Sequence, residues 1–332
     1  MQKPIGRRRF LTGLAAAIVV PTGLSACSAL GGSSEPAAPE GAPAGDVEKP
    51  TLNVGVLPIV GAAPVTLGVR DGLFQQAGLT VTPQRIQSGA LSMPALVNGE
   101  FDILFTNYVS AIAAKSQGID VVIIAEASRA LPANFSIVAM PNSPLDGPAS
   151  LVGQTIGVNA LNNIATLTTS SALGVNGITP DQVNFVEVPF PEMATALEAG
   201  RVQAAFLPEP FLTRAKRSLG AKTLLDPTTG PTADLPIDGY VVTREFAEAN
   251  PNTIKAFRSQ LLEAQTRSSD RVVLEPLLIE ATGLEPEIAP LISASAYPTT
   301  TNPTSIQRVA DLMLQFGALK EPVDISQMVV LD

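Results

Sequence analysis

A chain of 332 residues with formal net charge −9, a single cysteine and neither histidine nor tryptophan is long enough for a globular protein of two domains. The missing histidine excludes Ser-His-Asp and Cys-His nucleophile pairs and His-ligated zinc, and one cysteine excludes an internal disulfide or a CxxC site. Its 21 basic residues are set against 30 acidic ones, the wrong balance for gripping phosphate backbones, so no nucleic acid is expected as a partner.

Residues 1–26 read as a signal peptide. Lys3, Arg7, Arg8 and Arg9 form a positive head, an apolar run follows from Leu11 to Val20, and Leu24-Ser25-Ala26-Cys27 is a small-residue exit. The run meets Pro21 after ten residues, about half of what a membrane span requires. Arg7-Arg8 before Arg9-Phe10-Leu11 resembles the twin-arginine export pattern, with Gly6 where that pattern prefers Ser or Thr. Leu24 to Cys27 resembles the bacterial lipobox, whose Cys is acylated with diacylglycerol and becomes the first residue. Lipidation at Cys27 is expected, because the chain's single Cys falls at the cleavage point. Removal of the signal leaves 17 basic residues against 30 acidic ones, so the body should face water and not anionic lipid. Residues 27–50 are rich in Gly, Ser, Pro, Ala and Glu without periodicity. They read as a flexible tether in which Asp46, Glu48 and Lys49 are solvated.

The body opens with strands predicted over 52–57, 81–86, 103–106, 121–125 and 136–140, with helices between them beginning near Val65, Leu91 and Val109. A second series follows: strands over 155–158, 184–188 and 204–207, and helices over 164–173, 193–199 and 211–219. This is the rhythm of a parallel α/β sheet, given twice. At a constant offset of 101, Ala95, Leu96, Gly99 and Phe105 recur as Ala196, Leu197, Gly200 and Phe206. Each set predicts a helix ended by a left-handed glycine and a short turn into a buried strand. Val54-Gly55-Val56 and Ile156-Gly157-Val158 open the two halves alike.

Two such lobes imply a crevice, and ligands in open α/β sheets sit beyond the carboxyl ends of the strands. The segments leaving the strands are 58–64, 87–92, 106–110, 159–163, 189–191 and 208–211. From them come the candidate ligand contacts Gly61, Gly89, Ala90, Ser92, Thr106, Asn107, Asn159, Asn162, Phe190 and Glu209, with Gly239 beside a predicted crossing. Ser92, Asn107, Asn159 and Asn162 read equally as caps of the helices they precede. Tyr108, Phe190 and Phe211 read as cleft walls or as core. Asp238 reads as a hinge contact or, in the favoured reading, as a turn residue before Gly239. Glu209 either stabilises a helix N-terminus or faces a ligand bearing an N–H, hydroxyl or cationic group.

Taken in order, Leu52-Asn53-Val54-Gly55-Val56, Gly72-Leu73-Phe74, Gly78-Leu79, Gly99-Glu100-Phe101-Asp102-Ile103, Leu151-Val152-Gly153-Gln154-Thr155-Ile156-Gly157-Val158, Glu209-Pro210 and Gly239-Tyr240-Val241-Val242 resemble the substrate-binding proteins of ABC importers. The resemblance is to the branch that takes sulfonates, taurine, nitrate and thiamine precursors. It implies an α/β, two-lobed type II periplasmic-binding fold with parallel-sheet lobes: lobe 1 over 51–140 plus 238–332, lobe 2 over 141–237, and hinge crossings at 136–141 and 237–243. It further implies a monomer without cofactor, metal or catalytic residue, anchored by lipid to the outer face of the cytoplasmic membrane. Its partners are a small-molecule ligand and a permease with its cytoplasmic ATPase. The six cleft segments carry no Lys or Arg, a departure from oxyanion binders that leaves the ligand open. The pyrimidine-synthase branch depends on histidine, which this chain lacks. No GxSxG, GxGxxG, P-loop or Ser-x-x-Lys motif occurs. A metabolite-sensing or structural surface lipoprotein without transport is the alternative, and the structural one would show no ligand-dependent closure.

Overall fold

The computed structural model describes residues 47–330; the signal peptide, Cys27 and most of the tether lie outside the described residues. The first half runs β1 (Thr51–Val56), α1 (Ala63–Arg70), α2 (Leu73–Gln76), β2 (Thr80–Arg85), α3 (Met93–Val97), β3 (Ile103–Asn107), α4 (Tyr108–Ser116) and β4 (Val121–Arg129). The second runs β5 (Phe135–Ala139), β6 (Thr155–Val158), α5 (Ile164–Gly174), β7 (Asn184–Glu187), α6 (Phe190–Glu198), β8 (Ala204–Pro208), α7 (Phe211–Leu219) and β9 (Lys222–Leu225). The chain then returns through β10 (Pro236–Thr243) to α8 (Arg244–Ala249), α9 (Pro251–Ser268), α10 (Arg271–Thr282) and α11 (Pro303–Gln315).

These strands form two sheets of one design, β2-β1-β3-β10-β4 and β7-β6-β8-β5-β9. In each, the opening strand pairs in parallel with its two neighbours, and one strand runs antiparallel between the third and the last: β10 between β3 and β4, β5 between β8 and β9. The lobes expected as parallel sheets each hold three parallel strands and, beside them, one antiparallel strand that makes the sheet mixed. The reason is connectivity, since β10 enters the first sheet from the second, and β5 enters the second from the first. Both segments expected as hinge crossings are full strands inside a sheet. The chain passes between sheets at 130–134 and again at 226–235, so 135–140 stands with the second sheet and 236–237 with the first.

The repeat at offset 101 is structural. Strands β3 and β8 are buried at all five positions, as suits central strands covered on both faces. Before each, a helix ends on a glycine with positive φ, +75° at Gly99 and +66° at Gly200. The turns are then closed by matching bonds, Glu100 N–H to Ala95 O at 2.9 Å and Arg201 N–H to Ala196 O at 3.0 Å. A side chain at either glycine would force a left-handed residue with a Cβ.

The last tether residues are fastened to the first sheet. The Glu48 carboxylate accepts from the N–H groups of Asn252 (3.1 Å) and Thr253 (2.9 Å) at the start of α9, and Lys49 Nζ meets Asp102 Oδ1 at 2.6 Å. Two residues expected to be solvated therefore anchor the body: Glu48 neutralises exposed first-turn donors and Lys49 neutralises a buried carboxylate. Packing of the C-terminal helices is set by stacked Phe74 and Phe257, ring centroids 5.2 Å apart, with Tyr240 edge-on to Phe257 at 5.7 Å.

The segment 283–302, between α10 and α11, reaches across to the second sheet. Ser293 N–H donates to Glu209 Oε1 (3.3 Å), Asn134 Nδ2 donates to Ala294 O (2.7 Å), and Glu285 pairs with Arg214 of α7 at 3.0 Å.

Candidate functional site

The carboxyl ends of strands from both sheets converge on a cavity of about 50 Å³. The first sheet contributes Leu57, Ile59, Val60 and Gly61 after β1, Asn107 at the end of β3, Ser128 and Arg129 from β4, and Ile237 and Asp238 from β10. The second contributes Phe135, Phe206 and Pro208 from its strands, Asn159 and Ile164 around the start of α5, Phe190 and Glu209. Asn134 and Ser295 complete the wall. An apolar cavity that admits benzene measures roughly 150 Å³, so an organic solute enters here only as the two walls part.

Five of the eleven candidate ligand contacts meet at this cavity, Gly61, Asn107, Asn159, Phe190 and Glu209, together with Asp238. Asn107 is also the cap of α4, its Oδ1 accepting from Ser110 N–H at 2.9 Å. Asn159 is held by Asn163 Nδ2 at 3.0 Å, and Asn163 is the residue that caps α5. Phe190 stacks on Phe211 with centroids 5.5 Å apart.

The others stand elsewhere. Thr106 is fully buried behind the wall, facing Gly89, where a Cβ would come within 2.2 Å of the Thr106 hydroxyl. Ala90 is half-buried in the same loop, and Ser92 precedes α3 without capping it. Asn162, with φ +52°, lines a separate groove with Phe316. Gly239 lies under Tyr108, whose hydroxyl would be 2.7 Å from a Cβ there.

Two carboxylates face the cavity, and their environments differ. Glu209 is 4% exposed. It accepts from Thr213 N–H (3.1 Å) and from the Thr213 hydroxyl (2.7 Å) in the first turn of α7, as well as from Ser293 N–H. Burial raises its pKa, and these three donors pull it back. The helix-end reading of Glu209 is thus realised, and the residue also ties α7 to the 283–302 segment.

Asp238 is not in a turn. It sits in β10 opposite Asn107 and Ser128, at a point where the pairing with β4 shifts register on both sides of it. Such irregularities bend a strand and re-aim a side chain. Its Oδ2 accepts from the Ser128 hydroxyl at 2.7 Å, and burial pushes its pKa up to about 7 against that single bond. Gly61 keeps the approach clear, since a Cβ there would stand 3.0 Å from Ser128 Oγ and 3.3 Å from Asp238 Oδ2.

Arg129 is the cation at the cavity, unseen in the sequence because β4 was expected to end at Ala125 and runs four residues further. It is already engaged: its Nε lies 3.1 Å from Asp234 Oδ1 and 3.6 Å from Glu126 Oε1, and its Nη2 donates to Asp234 O and Ser305 Oγ, each at 3.1 Å. Ser128, Arg129 and Asn134 were missed as site residues, and Asp238 was weighed as a hinge contact but read in favour of a turn. The signal that points to Ser128 is alternation, two residues beyond Glu126 on one face of the continuing strand.

Known proteins resemble this chain in sequence and in fold. The taurine-binding periplasmic protein of Escherichia coli (strain K12) is 26% identical over 216 residues, covering 64% of this chain and 66% of the relative. The nitrate/nitrite binding protein NrtA of Nostoc sp. is 24% identical over 297 residues, covering 79% and 66%. The chain therefore spans just under two thirds of the length of these relatives. The alkanesulfonate-binding protein SsuA from Xanthomonas axonopodis pv. citri, bound to MOPS, superposes with a TM-score of 0.74 at 18% identity, covering 86% of this chain and 99% of its own, which establishes the two-sheet periplasmic-binding fold. Residues 45–274, a stretch that holds both sheets and ends in the first turn of α10, match the family model, and the chain belongs to the NMT1-like family.

Proposed function

We propose that this protein is the extracytoplasmic solute-binding component of an ABC importer, a lipoprotein that captures a small solute between its two lobes and delivers it to a membrane permease powered by a cytoplasmic ATPase. The observation that carries the reading is the cavity itself, built at the carboxyl ends of two equivalent sheets and walled by both, so that a solute contacting both favours the closed arrangement. The relatives named for taurine and for nitrate support it and indicate which chemistries to try. The polar groups of the wall that the protein holds in place are Arg129, paired with Asp234, and Asn107, Ser128, Asn134, Asn159 and Glu209, each hydrogen-bonded within the protein. The cleft residues of this binding protein are Gly61, Asn107, Ser128, Asn159, Phe190 and Asp238.

Thermal denaturation of the purified protein against taurine, ethanesulfonate, ethanolamine, nitrate and nitrite tests the reading. A solute at 100 times its Kd adds about 2.7 kcal/mol, and scattering should then show a smaller radius of gyration. A midpoint unmoved by every one of these solutes counts against solute capture.

Anchoring is proposed through Cys27. Cys27→Ala should abolish metabolic labelling with a fatty acid and release the protein from membranes; a variant that stays membrane-bound and labelled places the anchor elsewhere.

A further inference from the structure

Of the two carboxylates in the cavity, the protein itself satisfies only one. Glu209 has three donors, two from α7 and one from the 283–302 segment. Among the described residues, Asp238 has the Ser128 hydroxyl alone, and no Lys or Arg forms an ion pair with it. An ionised carboxylate offers about four acceptor positions, and a buried one without a countercharge is costly to hold.

The groups around Asp238 do not supply that charge. From β4 come Ser128, Glu126 and Arg129, the last turned to Asp234. From α4 comes the Tyr108 phenol, from β10 itself Tyr240, and across the cavity Glu209. The nearby side chains are thus neutral or acidic, apart from one guanidinium already paired. The second sheet's share of the wall is mainly apolar, formed by Phe135, Ile164, Phe190 and Phe206, with Asn159 and Glu209 as its polar groups.

We propose, on the basis of the solute-binding reading, that the captured solute carries a protonated amine, and that its N–H groups sit on the carboxylate of Asp238 at the place Gly61 leaves open. Asp238 binds it ionised, so capture releases a proton wherever the unliganded carboxyl is protonated, and affinity falls as pH drops. A bare anion meets two carboxylates and no unpaired cation here. A zwitterion enters with its ammonium end toward Asp238. The raised pKa of Asp238, about 7, puts this proton release within the neutral range.

Calorimetric titration of the full chain with ethanolamine, taurine, ethanesulfonate and nitrate at pH 8 is the test. The two amines should bind, and the two anions should bind at least about 100-fold more weakly. Amine affinity should fall by about tenfold per pH unit below pH 7, and Asp238→Asn should lower it about 100-fold or more. Ser128→Ala removes the hydrogen bond that favours the ionised form, so it should move the midpoint of the pH dependence upward, which tests the proposal even where Asp238→Asn fails to fold. Ethanesulfonate or nitrate binding as tightly as taurine, unaffected by pH or by these substitutions, overturns the amine proposal and leaves solute capture standing. Absence of binding by all four overturns both.

Discussion

Gly89→Ala should destabilise the protein by about 3 kcal/mol or more, with a fall in Tm of roughly 6–10 °C. Its added Cβ would stand 2.2 Å from Oγ1, 2.6 Å from Cβ and 2.9 Å from Cα of Thr106. Thr106 is fully buried in β3, between β1 and β10 in the first sheet, and pairs with Gly239. The strand cannot retreat without breaking its ladder, so the loop after β2 has to move, and with it the bond from Ser92 N–H to Ser88 O. Gly99→Ala is the control. There φ is +75° but nothing lies within 4 Å of the added Cβ, so the cost is the left-handed conformation alone, about 1 kcal/mol. Equal losses at the two sites would show that close approach to Thr106 is not what Gly89 provides.

The unliganded protein should be more stable at pH 5.5 than at pH 8. Asp238 and Glu126 are both pushed up to about 7 by burial, from ordinary values of 3.8 and 4.5. Between the ordinary and the raised value the native state holds a proton that the unfolded chain has released, so stability falls as pH rises through that window and levels off above about 7. Over pH 5.5 to 7 the Asp238 carboxyl alone accounts for about 2 kcal/mol. The exposed carboxylates Asp120, Glu285 and Asp324, whose pKa values are lowered, act in the opposite sense and only at more acid pH. Urea titrations at the two pH values measure the difference, and Asp238→Asn should reduce it. A wild-type protein equally stable at both would mean that these carboxyls ionise in the folded state as readily as in water.

What the sequence made legible follows the range of the interactions involved. The helix, glycine and strand at 95–105 and 196–206 are local units, so their repetition at offset 101 could be read directly and reappears as equivalent positions in two sheets. Which sheet a buried apolar run joins is settled by partners far along the chain. Hence β5 and β10 were taken for crossings, although their composition marked them as strands. Asp238 was misread because Asp-Gly is a turn pair, whereas here it interrupts the register of a long strand. Glu209 was legible halfway: Thr213 lies four residues on, one helical turn away, while Ser293 lies 84 residues on.

The exchange of strands between the two sheets also fixes an order of synthesis. The second sheet takes its foreign strand, β5, from the chain that precedes it, so all five of its strands exist once Leu225 has been made. The first sheet is missing β10 until Thr243. Until then β3 and β4 have no common neighbour, and each presents a bare edge of the kind that pairs with other chains. The half that leaves the ribosome first is therefore the half that is completed last, and it needs protection from aggregation for the time taken to make the entire second sheet and the strand that follows it.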